Sequence, residues 1–173
     1  MNKYKFREYK NNYPKLYNKE KKKLENIIPN AIIEHVGSTS VEELGGKGII
    51  DILVAVPKKD IKKIRDKLII VKYVLSKTGG SKDRIFFSKD YGLLKKRRVH
   101  LSLTYINSVT YKNAIKFREA LRKNKELRDK YSFIKKEAIS LGKKNKDYRE
   151  HKTEFIKEVL RKWKFVKQQI KML

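Results

Sequence analysis

Between Ala31 and Val56 the chain reads AIIEHVGSTSVEELGGKGIIDILVAV, and a single carboxylate, Asp51, interrupts its last apolar run. An unpaired carboxylate is costly to bury, so Asp51 must stand at an open strand end, accept hydrogen bonds or hold a cation. The surrounding pattern is strand, turn, strand. Ala31 to Val36 and Ile49 to Val56 are aliphatic and β-branched, and each stops at a turn former, Gly37 or Pro57. Thr39 to Leu44 is expected to make a short helical turn, with Ser40 and Glu43 spaced as a capping box.

Either side of this stretch the periodicities are simple. Tyr4 to Ile28 reads as helical, amphipathic over its second half, with Pro14 in the first turn of that half and Pro29-Asn30 as the break. Asp60 to Leu68 repeats Ile61, Ile64 and Leu68 at helical spacing, with Asp60 placed as an N-cap. Ile69 to Leu75, Arg84 to Ser88 and Arg98 to Ile106 read as strands. A hairpin turn is expected at Asp90-Tyr91-Gly92, and a loop at Thr78 to Ser81. In the last strand Val99, Leu101, Leu103 and Tyr105 alternate with His100, Ser102 and Thr104. Beyond Ser108 the period becomes helical. One stripe is Ala114, Phe117 and Leu121, and a second is Leu127, Tyr131, Ile134, Ala138 and Leu141, closed by Gly142 as C-cap. A third runs through Tyr148, Phe155, Val159, Trp163, Val166 and Ile170. Consecutive strands after one helix imply an antiparallel or mixed sheet, not a doubly wound parallel one. The expected architecture is one α/β domain over 1–173, with a mixed-sheet core to residue 106 and helices packed on it over 107–173.

Charge narrows the function classes less than its size suggests. A net charge of +27 favours polyanionic ligands through counterion release. However, it is spread along the chain and carried mainly by lysine, not by the bidentate phosphate reader arginine. With no cysteine, disulfides and thiolate metal sites are excluded. The first residues lack the apolar segment of a secretory signal, and the longest apolar run is far too short to span a bilayer. A cytoplasmic protein without a membrane partner is expected.

Gly37-Ser38 after a strand is chemically meaningful, because glycine lets backbone approach a phosphate and a serine hydroxyl with free N–H groups binds anions. A plain capped turn is the structural alternative. Gly45-Gly46-Lys47-Gly48 lacks the P-loop spacing and precedes a strand, so it reads as a flexible turn from which Lys47 could reach a ligand phosphate. His35 precedes the Gly-Ser turn and could serve core or site. His100 lies on the polar face of its strand, and His151 reads as a surface residue. Three scattered histidines give no zinc pattern.

Taken together, IEHVGSTSVEELGGKGIIDILVAV resembles the signature of the GrpB-like family of the nucleotidyltransferase superfamily, in which GSTS, a small turn with Lys and an IIDI strand recur at this spacing. The resemblance continues through Arg98-Val99-His100-Leu101, Tyr131-Ser132-Phe133-Ile134-Lys135 and the YREHKTEFI run from Tyr148 to Ile156. It thus extends from about Ile32 to Leu160. It implies a nucleotidyltransferase-type α/β core with a helical C-terminal part. It also implies a phosphate or nucleotide site at Gly37, Ser38, Thr39, Ser40 and Lys47, and a metal-binding, catalytic Asp51 with Mg²⁺ as cofactor. Glu34, His35, His100 and Ser102 would line the cleft. In active members of the superfamily two carboxylates two positions apart hold Mg²⁺, and a third comes from a later strand; here the partner position is Leu53, and the later strand offers His100 and Ser102. The expected function is therefore binding of a nucleotide or phosphorylated small molecule, with catalysis open. The alternative is a non-catalytic RNA- or nucleotide-binding module that uses its lysine surface.

Overall fold

The computed structural model describes residues 5–91, 97–140, 150 and 152–162. Its centre is a five-stranded mixed sheet in the order β1-β2-β5-β4-β3, formed by β1 (Ile32–Val36), β2 (Ile50–Val56), β3 (Val74–Leu75), β4 (Arg84–Tyr91) and β5 (Arg97–Tyr105). β2 pairs antiparallel with β1 and parallel with β5, which places Asp51 between Val36 and His100. β4 returns antiparallel on β5, so Ser88 lies across from His100. Five helices accompany the sheet: α1 (Tyr13–Ile27), α2 (Ile61–Ile70), α3 (Val109–Lys123), α4 (Lys125–Ser140) and α5, residues 152–162. The last described strand ends at Tyr105, and the described elements after it are helices. No helix among the described residues is long and apolar enough to cross a membrane.

Strand alternation divides the sheet into two faces. One carries Ile50, Ile52, Val54 and Val56 of β2 with Val99, Leu101 and Leu103 of β5, and these pack with Tyr17, Leu24, Ile64 and Leu68 of α1 and α2 in a first core. The other face carries Asp51, Leu53, His100 and Ser102. A second core lies beside it, where Val41 and Leu44 meet Ala120 and Leu121 of α3, Tyr131 of α4 and Phe155 and Val159 of α5. The segment between β1 and β2 therefore belongs to both halves.

Several local expectations are corrected. The first helix begins at Tyr13, with Pro14 in its first turn as expected, but residues 5–12 are not helical. Arg7 instead forms a two-bond bridge with Gly46, its N–H to the Gly46 carbonyl at 2.7 Å and the return bond at 2.8 Å. The turn after Gly37 is a single 3₁₀ turn, Ser38–Ser40. The capping box does not form, because the Ser40 hydroxyl donates to the Gly37 carbonyl at 2.7 Å and Glu43 leaves helical space at φ 63°. Asp60 precedes α2 but is itself helical, with no side-chain cap bond, since a 3₁₀ turn over Lys58–Asp60 already supplies the entry. Ile69 and Ile70 extend α2, leaving only Val74–Leu75 as strand. Lys72, at φ 68°, ends the helix while the Tyr73 N–H closes on the Leu68 carbonyl. Asp90 and Tyr91 continue β4, paired with Arg98 and Arg97. Gly92, Leu141, Gly142 and Tyr148 lie outside the described residues, as do His151, Trp163, Val166 and Ile170.

A buried polar cluster fastens α1 to the far end of the sheet. The Glu20 carboxylate, 4% exposed, accepts the Tyr73 hydroxyl at 2.5 Å and the Tyr91 hydroxyl on the same oxygen, with Lys23 on the other at 3.3 Å.

Candidate functional site

Gly37 stands at φ 71°, ψ −171°, a conformation open essentially to glycine. A Cβ there would fall 2.2 Å from Asp51 Oδ2. The carboxylate thus lies directly against the turn, with no room for a side chain between them. Gly37→Ala is expected to cost about 2 kcal/mol through backbone strain and collision with Asp51, measurable as a lowered midpoint in urea unfolding.

The GSTS run divides by role. Gly37 is exposed and Ser38 half-buried, whereas Thr39 and Ser40 are buried and serve the scaffold. The Thr39 hydroxyl donates to the Ile49 carbonyl at 3.1 Å and meets His35 Nε2 at 3.0 Å. His35 stacks on Tyr17 at 4.4 Å between ring centres. Burial, which outweighs the attraction of Asp51, pushes His35 down to about 4, so it is neutral and serves the core. From α3, Arg122 donates twice to the Ser40 carbonyl at 2.9 and 3.2 Å. Arg118 bonds the Glu34 carboxylate at 2.7 Å and the His35 carbonyl at 2.8 Å. These two arginines hold the end of β1 and the turn against the helical half, and they tie Glu34 into that clamp.

Asp51 and His100 do come together. Asp51 Oδ1 is 3.3 Å from His100 Nδ1, and both side chains are partly exposed, at 35% and 25%. The Phe86 ring packs edge-to-face with the imidazole, 5.0 Å between ring centres at 67°. Ser102 lies one step along the same face, paired across to Leu53. Leu53 is 1% exposed and is a core residue.

The Gly45-Gly46 segment is held, not flexible. Besides the Arg7 bridge, a Cβ on Gly45 would meet the Phe6 ring at 2.4 Å. A Cβ on Gly46 would lie 2.6 Å from Ser38 Oγ and 3.6 Å from Lys135 Nζ. Gly46 therefore lets the Ser38 hydroxyl and the Lys135 ammonium both approach one stretch of backbone. Lys47 is half-buried and has a partner within the chain.

Lys135, which sequence reading did not single out as a candidate, lies beside this segment. It projects from α4 and is 3% exposed. Its ammonium donates to the Gly45 carbonyl and rests 4.5 Å over the Tyr131 ring. No ion pair to it is formed among the described residues; Asp51 is the carboxylate whose field it feels, and Lys152 of α5 adds repulsion. Burial is the main cause, with Lys152, that pushes it down to about 7. Its signal in the sequence was positional: four residues after Tyr131 and three before Ala138, it is a lysine on an apolar helical stripe.

Among the described residues, no group of three histidine or carboxylate side chains is placed to hold a metal ion.

Against protein-family models, residues 3–162 match the family described as "GrpB protein". The chain belongs to the GrpB family. Its fold matches the crystal structure of the conserved protein GrpB from Enterococcus faecalis, with a TM-score of 0.73 and 26% identity over 92% of this chain and 99% of that one. A protein of Halalkalibacterium halodurans, described as "UPF0157 protein BH1888", is 47% identical over 51 residues, which span 26% of its length. The fold of this GrpB chain is also similar to that of Cid1 poly(U) polymerase, in structures described as bound to MgATP (TM-score 0.50, 12% identity) and MgGTP (0.51, 11%). It covers 73% and 74% of this chain but only 41% and 43% of Cid1. The mixed α/β core is thus nucleotidyltransferase-like.

Proposed function

We propose that this GrpB protein binds a nucleotide or phosphorylated small molecule in the cleft between the Gly37-Ser38 turn and α4. What supports the reading is Lys135, a buried ammonium with no paired carboxylate among the described residues, which lies close to Gly46 on the side of Ser38. A buried cation is costly unless compensated, and a phosphate oxygen between the hydroxyl and the ammonium would supply the missing charge. The nucleotidyltransferase-like fold and the glycine-only turn support the same location. Mg²⁺ would enter with a nucleotide's phosphates, and Asp51 is the carboxylate in the cleft able to touch it.

The test is calorimetric titration of the four nucleoside triphosphates, with Mg²⁺, into wild type, Ser38→Ala and Gly46→Ala, with heparin as a polyanion control. A methyl on Gly46 would press on Ser38 Oγ and displace that side chain. Wild-type binding of at least one nucleotide, weakened at least tenfold in both variants while heparin binding stays unchanged, is the expected result. Equal binding by all three proteins, falling steeply with salt, would establish the lysine-surface RNA- or nucleotide-binding module instead.

A further inference from the structure

The two edges of the sheet are finished differently. At the β1 edge the carbonyls of alternate residues are taken by side chains: the Tyr17 hydroxyl donates to the Ile33 carbonyl at 2.9 Å, and Arg118 to the His35 carbonyl at 2.8 Å. At the other edge stands β3, two residues long, with β4 as its strand neighbour. The Ser76 N–H donates to the Phe86 carbonyl at 2.9 Å. Antiparallel alternation therefore turns the N–H and C=O of Leu75, opposite Phe87, to the open side. The side chains there are apolar. Eight large apolar side chains are exposed among the described residues, and four of them, Ile69, Ile70, Val74 and Leu75, fall between residues 69 and 75. Ile70 is 74% exposed and Val74 65%. Exposed apolar side chains on an open strand edge suit an extended chain that adds to the sheet.

We propose that the β3 edge docks an extended acidic segment of a partner protein, which adds to the sheet beside β3. Charge selects the occupant. Between Asp66 and Asp83 the chain has no carboxylate, and Lys72, Lys77 and Lys82, on either side of Val74-Leu75, are exposed. The two bounding carboxylates are engaged elsewhere: Asp66 accepts from Arg65 at 2.8 Å, and Asp83 from the Thr110 N–H and hydroxyl at 2.8 and 2.7 Å. A second copy of this chain would bring the same lysines against one another, on top of a net charge of +27. Lysines beside a short edge strand oppose self-pairing, and they attract a carboxylate-rich strand. Side chains of the docked segment alternate between the two faces. One set meets Leu75 on the face that carries Phe87, where α2 packs, and the next meets Val74 on the opposite face. The Leu75 backbone supplies two hydrogen bonds, the apolar positions supply burial, and the acidic positions pair with Lys72 and Lys77.

The test titrates the full chain into three short fluorescein-labelled peptides at near-physiological salt. One alternates glutamate with valine. The second has the same composition with the valines grouped at one end, and the third is the alternating sequence N-methylated at every second backbone nitrogen. Fluorescence anisotropy should show the alternating peptide binding at least tenfold more tightly than either control. Val74→Glu and the double variant Lys72→Glu/Lys77→Glu should each weaken it at least tenfold, with circular dichroism checking that both keep the fold. Bound peptide should also slow amide exchange at Leu75. Equal affinity for all three peptides means charge attraction alone and overturns the proposal, as does absence of binding. A dimer in sedimentation velocity that Val74→Glu disperses would assign the edge to a second copy and overturns it too. The comparison of peptides on the wild type needs no variant, so it decides the matter whether or not a substituted chain folds.

Discussion

Lys135→Met is expected to make the protein more stable and to abolish the phosphate binding proposed for this cleft. The lysine is pushed down to about 7 by burial, so the folded state disfavours the charged form that the unfolded chain carries freely. Between about pH 7 and its ordinary value near 10, the unfolded chain holds a proton that the folded protein does not. Stability contributed by this group therefore rises with pH across that window, by up to about 1.4 kcal/mol per pH unit. A methionine of similar length removes the penalty. The variant should be more stable by on the order of 3 kcal/mol at pH 6–7, and the gain should shrink toward zero near pH 10. Urea unfolding at a series of pH values measures both. An unchanged wild-type slope in Lys135→Met would show that the ammonium is already compensated. In the wild type, phosphate binding near neutral pH should also take up a proton, visible as binding heat that varies with buffer ionisation enthalpy.

Glu20→Ala should be the most destabilising single change outside the site, at about 4 kcal/mol. Two tyrosine hydroxyls, from Tyr73 and Tyr91, end on one oxygen of this buried carboxylate, and removing it leaves both unpartnered beside a cavity. Burial alone would raise the Glu20 carboxyl; the two hydroxyls and Lys23 more than offset it and hold it below the usual carboxylate range. The stabilisation is accordingly full above that range and is lost as pH falls through the lowered value. Thermal unfolding should show the Glu20→Ala deficit narrowing, without closing, as pH falls through the lowered carboxyl value. A deficit that stays constant with pH would mean that packing, not charge, accounts for it.

Much of this fold was legible because its elements announce themselves by period. The aliphatic runs around Asp51 and the alternation from Val99 to Tyr105 became β2 and β5, and the Phe117–Leu121 and Leu127–Ala138 stripes became α3 and α4. What failed was local chemistry decided by distant partners. The first residues look helical, but Gly46 claims the Arg7 backbone. Ser40 and Glu43 have capping-box spacing, but Arg122 and the Gly37 carbonyl take the turn elsewhere. Asp51 lies against Gly37 and beside His100, while Thr39 and His35 bond to each other within the buried scaffold. Lys135 stayed invisible because a lysine among apolar residues reads as a helix edge until the Gly45 carbonyl is known to lie beside it.

The division of the molecule into two cores has a consequence for its dynamics. Ser38 follows directly from a sheet strand, whereas Lys135 belongs to the helical core, and between them run the Arg118 and Arg122 clamp and the burial of Val41 and Leu44. The helical core can therefore open as a unit while the sheet stays intact, at less than the cost of global unfolding. Amide hydrogens in α4 and α5 should then exchange before those of β2 and β5. A phosphate gripped from both sides would act as a removable cross-link: it would slow the early set toward the late one and make the two halves unfold together.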